Sequence, residues 1–132
     1  MSDQELHRLT DLQLDVMRVL WERGEATAAE VHEALLPMRG LAPTTVATLL
    51  RRLEKRGVVS HRSEGRQYVY RPHASERQVR RSMVGELTER LFDGDATELI
   101  SYLVSSGEIG PGDLERLRRL VEEREREEAD DG

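Results

Sequence analysis

Pro43-Thr44-Thr45-Val46-Ala47-Thr48-Leu49-Leu50-Arg51-Arg52-Leu53-Glu54-Lys55-Arg56-Gly57 is the stretch on which the reading of this chain turns. Pro43 suits a first helical position, where its missing N–H would be unpaired anyway. Gly57 suits the left-handed residue that closes a helix. Between them Val46, Leu49, Leu50 and Leu53 fall at i, i+3, i+4 and i+7, the spacing of one apolar helical stripe. At 100° per residue the opposite side carries Thr44, Thr48, Arg51 and Lys55, with Thr45 and Arg52 on its flank. Short hydroxyls occupy the first turns and long cations the last. Small Thr side chains let a helix approach base edges, and Arg bridges guanine or holds phosphate. The plain alternative is a solvated charged face, but only Glu54 balances these cations within the helix.

The flanking sequence supports a nucleic-acid reading. Thr10 with Gln13 and Thr27 with Glu30 fit the capping box, in which a hydroxyl and a residue three further on satisfy free amides. They open a first helix over about 11–23, with Leu12, Val16, Val19 and Leu20 on its stripe beside Met17 and Trp21, and a short second helix over 28–36. After Gly57 the period falls to two. Residues 58–62 and 67–71 are β-rich and flank the turn Ser63-Glu64-Gly65-Arg66, which reads as a hairpin ended by Pro72. Arg62, Arg66 and Arg71 would carry the positive stripe onto it. Helix, helix, helix, hairpin is the order of a winged helix-turn-helix, here expected over residues 1–73.

From residue 74 the chain is helical again. Ser75 with Gln78 caps a fourth helix on which Val79, Met83, Leu87 and Leu91 step by four, and Asp93-Gly94-Asp95 breaks it. Leu99, Ile100, Leu103 and Val104 mark a fifth helix that ends near Gly107. Pro111 opens a sixth, with Leu114, Leu117, Leu120 and Val121 on its stripe and a fraying end expected from Glu122. These helices have too few large residues for a core of their own. A second copy would cover Met83, Leu87, Leu91, Leu99, Leu103, Leu114, Leu117 and Val121, so residues 74–132 are expected to form a helical dimerisation region. The fold class is mainly α with a small β-hairpin wing.

Composition narrows the function further. The 132 residues are 35% charged, 37% hydrophobic and only 4% aromatic, which argues against a large β-sandwich. Without cysteine there is no disulfide framework, Cys-based metal centre or thiol nucleophile. No apolar run approaches the roughly 20 residues of a membrane span, and the start lacks a signal-peptide pattern, so a soluble cytoplasmic protein without membrane insertion is expected. The net charge of −6 hides an asymmetry: residues 39–80 carry ten Lys/Arg against three acids, and residues 81–132 seven against fifteen. Screening confines each patch to about 8–10 Å, so local charge decides what approaches. His7, His32, His61 and His73 lack ligand spacing, and only His61 with His73 beside the wing suggests a pH or metal sensor. No constellation points to an enzyme, a metal or a cofactor.

Leu14-Asp15-Val16-Met17-Arg18-Val19-Leu20-Trp21, the Pro43–Gly57 stretch, Tyr68-Val69-Tyr70 and Asp113-Leu114-Glu115-Arg116-Leu117-Arg118 together resemble the penicillinase-repressor (BlaI/MecI/CopY) family of bacterial regulators, from about Leu9 to Val121. The resemblance implies a homodimeric transcriptional repressor that binds double-stranded DNA operators, inverted repeats with TACA/TGTA-like half-sites. It places Thr44, Thr45, Thr48 and Arg52 in the major groove and Arg66 at the wing tip; Arg51, Lys55 and Arg62 complete the expected DNA-binding set. The missing cysteines set the chain apart from the copper-sensing branch. In the β-lactam-responsive branch a regulatory membrane metalloprotease is a partner that cuts an Asn-Phe bond. The corresponding pair here is Tyr102-Leu103, so that cleavage site does not transfer. Ala47 replaces a long cation of some relatives. The alternative is a winged-helix adaptor whose basic face binds an acidic protein.

Overall fold

The computed structural model describes residues 8–131. In chain order these form α1 (Asp11–Arg23), β1 (Ala26–Thr27), α2 (Ala28–Leu35), α3 (Pro43–Lys55), β2 (Val59–Glu64), β3 (Gln67–Pro72), α4 (Glu76–Phe92), α5 (Ala96–Ser105) and α6 (Pro111–Asp131). They fall into two compact units, residues 8–87 and 88–131.

In the first unit both capping boxes form. The Thr10 and Thr27 hydroxyls accept from the Gln13 and Glu30 amides, and the Gln13 and Glu30 side chains accept in return from the cap amides. Each such cap is worth about 1 kcal/mol. The apolar stripes of α1, α2 and α3 meet in one core, where Val16, Met17, Leu20, Val31, Val46, Leu50 and Leu53 are fully buried. Trp21 packs against that core and donates its indole N–H to the Ala74 carbonyl at 2.9 Å, fixing the start of the segment after the wing. Val79 is buried in the same core and Met83 packs against it, so the first turns of α4 belong to this unit. Met83, expected to meet a second copy, is thus half-buried on the core of its own chain.

The sheet has three strands in the order β1-β3-β2, all antiparallel. The two-residue strand β1, absent from the sequence reading, pairs Ala26 with Tyr70 and Thr27 with Val69. Pairing of β2 with β3 runs through Ser63↔Tyr68 and Glu64↔Gln67, which shortens the expected four-residue turn to Gly65-Arg66. Gly65 has φ +62°, and a positive φ at the first central residue is what a right-twisted two-residue hairpin needs.

In the second unit Asp93 (φ +50°) and Gly94 (φ +79°) stop α4, and Asp95 caps α5 by accepting from the Thr97 and Glu98 amides. Helix α6 runs to Asp131, and the residues from Glu122 onward are exposed. Ion pairs Arg118–Glu122 and Arg124–Glu128, each at i,i+4, lie along it at 3.3 and 3.5 Å. Neither α5 nor α6 buries a residue.

Candidate nucleic-acid interface

Helix α3 is held by its buried face. Val46, Leu50 and Leu53 are fully excluded from solvent, and burying side chains of this size stabilises by about 1.5–3 kcal/mol each. The helix therefore cannot roll, and the opposite side is fixed outward: Thr44, Thr45, Arg51, Arg52 and Lys55 are exposed and Thr48 is half-exposed. Thr48 donates its hydroxyl to the Thr44 carbonyl at 2.9 Å and accepts from Arg51 Nη2 at 3.2 Å. That short chain holds the Arg51 guanidinium over the threonine end of the helix. Cations and hydroxyls thus form one surface, as the spacing implied.

The wing supplies the neighbouring wall. Arg51 and Ala47 of α3 line a groove of about 400 Å³ together with Arg66, Gln67, Tyr68 and Tyr70 of the hairpin and Thr27, Ala28 and Ala29 at the start of α2. Two of the expected contacts, Arg51 and Arg66, therefore share one groove. Tyr68 and Gln67, outside the expected DNA-binding set, join them. Tyr68 is 52% exposed, a large aromatic surface on a strand whose neighbour Val69 is buried. Its signal was present in the alternation of β3, where residues 68 and 70 share a face.

Arg62 occupies a different environment. It donates to both Glu25 oxygens at 2.7 and 3.1 Å and to Glu64 at 2.8 Å. Hydrogen bonding to Glu25 pushes its pKa above the ordinary guanidinium value, with the Glu64 charge acting in the same sense. This fork bridges β2 to the corner between α1 and β1. On the other side of the wing, His61 places Nδ1 2.5 Å from Glu54 Oε2 of α3 and stacks on Tyr68 with ring centroids 4.2 Å apart. Burial, followed by the Glu54 charge, pushes the Tyr70 phenol up. His61 is therefore engaged with α3 and the wing rings, and among the described residues no group of three metal-ligating side chains forms.

The family model described as "Penicillinase repressor" matches residues 9–123. The chain belongs to the penicillinase repressor family. This repressor is 37% identical over 123 residues to the transcriptional regulator BlaI of Mycobacterium tuberculosis, spanning 92% of this chain and 88% of that one. It is 25% identical over 120 residues to the penicillinase repressor of Bacillus licheniformis, spanning 91% and 94%. Among solved structures, the DNA-binding domain of the repressor BlaI superposes with a TM-score of 0.51 at 34% identity, covering 55% of this chain and 89% of that domain. As a member of this family the protein is a winged-helix, DNA-binding transcriptional repressor. No helix among the described residues is long and apolar enough to cross a membrane.

The helices after the wing carry exposed apolar side chains. Leu87, Leu91, Leu114, Leu117 and Val121 are exposed, and Leu99 and Leu103 are half-buried. Val84, Ile100, Tyr102, Val104 and Leu120 are exposed as well.

Proposed function

We propose that this repressor binds, as a homodimer in the cytoplasm, a pseudo-palindromic operator, with α3 of each protomer in a major groove and each wing on the adjacent backbone. The observation that carries the reading is the outward face of α3: three threonines and three cations on a helix whose other face is locked in the core. Thr44, Thr45, Thr48, Arg51 and Arg52 are placed at base edges, and Lys55 and Arg66 at phosphates. Two-fold symmetry of the dimer then requires inverted half-sites about 10–10.5 bp apart, or a multiple of that. The exposed leucines of α4, α5 and α6 form the surface a second copy covers.

Fluorescence anisotropy tests this with two duplexes, one bearing inverted TACA/TGTA half-sites and one with the half-sites scrambled. The expected preference for the first is about 10³-fold or more near physiological salt. Equal affinity for the two would leave the basic face as a non-specific or protein-binding surface and overturn the assignment.

A further inference from the structure

We infer that His61 is a positioning residue that holds Glu54 away from Arg51 and so leaves the Arg51 guanidinium available to DNA. The inference rests on the proposed placement of α3 in the major groove.

Glu54 is the only acid on α3. On a helix, opposite charges three or four residues apart close on each other readily. The positions at that spacing from Glu54 are Leu50, Arg51, Gly57 and Val58, so Arg51 is the one cation that can take its carboxylate along the helix. The pair does not form. Glu54 Oε2 instead sits 2.5 Å from His61 Nδ1 on β2, and Arg51 Nη2 turns to the Thr48 hydroxyl at 3.2 Å. A carboxylate only accepts, so His61 Nδ1 carries the hydrogen in this contact. The imidazole is held in place by its stack on Tyr68 and by Tyr70, whose ring lies 5.7 Å away and tilted. Glu54 and Arg51 both act on the Tyr70 phenol, with opposite signs, so the two charges already share one neighbourhood. Without His61, the carboxylate has the guanidinium as its partner on its own helix face. An arginine neutralised there no longer reaches a base or a phosphate at full strength.

The test measures operator and scrambled-duplex affinities by anisotropy for the full chain, with thermal melts as a folding check. Arg51→Ala is expected to weaken operator binding by about tenfold or more, the worth of a good arginine contact. His61→Ala is expected to weaken it by about twofold, since Glu54 then competes for Arg51 as an intrahelical pair. Adding Glu54→Gln to His61→Ala is expected to bring affinity back to that of Glu54→Gln alone, and in the Arg51→Ala background His61→Ala is expected to cost nothing further. His61→Phe keeps the ring stack and loses the hydrogen bond, so it is expected to match His61→Ala. Wild-type affinity in His61→Ala would overturn the inference. So would a loss that Glu54→Gln does not repair, which would make His61 merely a strut of the wing. Wild-type operator affinity in Arg51→Ala would show that the placement of Arg51 on DNA fails, and the inference would fall with it.

Discussion

Arg62 and Arg66 lie four residues apart on one hairpin, yet their surroundings assign them different work. Arg62 spends its donors on Glu25 and Glu64, which braces the wing against the body of the domain. Arg66 lines the groove beside Arg51. Arg66→Ala is accordingly expected to reduce the slope of log affinity against log salt by about one, while Arg62→Ala leaves the slope unchanged. Anisotropy titrations over a range of salt concentrations check both. The sequence placed both arginines on the wing but could not separate them, because the partner that occupies Arg62 is 37 residues away. The same holds for Asp15, an ordinary acid in the sequence. In the fold it is buried, with Arg39 Nε at 2.5 Å and Arg18 at 3.2 Å. Charge spacing along a chain predicts pairs within one helix, such as Arg18 with Asp15, whereas the Arg62–Glu25 and Arg39–Asp15 contacts join distant parts of the chain.

Elements whose start and stop chemistry is local were readable directly. Helices α1 and α2 begin at their capping boxes, α3 begins at its proline, and the stripe of α3 faces the core that its spacing prescribes. Strand β1 was not readable, since two residues carry no period and Ala26-Thr27 becomes a strand only by pairing with β3. The caps have a measurable consequence. The Thr27 amide donates to Glu30, and this bond, with that of the Thr27 hydroxyl, lowers the Glu30 pKa below its ordinary 4.5. A depressed carboxylate contributes stability that is present above pH 4.5 and lost as pH falls through its folded pKa. Wild type is therefore expected to lose more stability between pH 7 and pH 3 than Glu30→Gln, whose amide oxygen accepts the same bond at any pH; urea unfolding at the two pH values checks this. Within α3, Leu50→Ala is expected to cost about 2–5 kcal/mol in the same assay, because Leu50 is fully enclosed by the core that orients the DNA-facing side.

The whole molecule joins a basic winged unit, which builds its own core, to an acidic helical unit that buries almost nothing. Residues 88–132 leave Leu91, Ile100, Tyr102, Leu114, Leu117, Leu120 and Val121 to solvent, a surface that a second copy of the chain would bury. Leu117→Asp would put an unpaired charge in that contact and is expected to shift the protein from dimer to monomer at micromolar concentration in analytical ultracentrifugation. Operator affinity should fall with it, because each half-site would then be bound alone. A monodisperse Leu117→Asp dimer would move the contact elsewhere on the helices. The central claim is that two copies of α3 read DNA sequence through a fixed threonine and arginine face. Selection of binding sites by the purified protein from a random double-stranded pool, near physiological salt, tests that claim most directly. The account predicts recovery of an inverted repeat with half-sites about one helical turn apart or a multiple of it. Recovery of no motif from a folded, dimeric protein would contradict it.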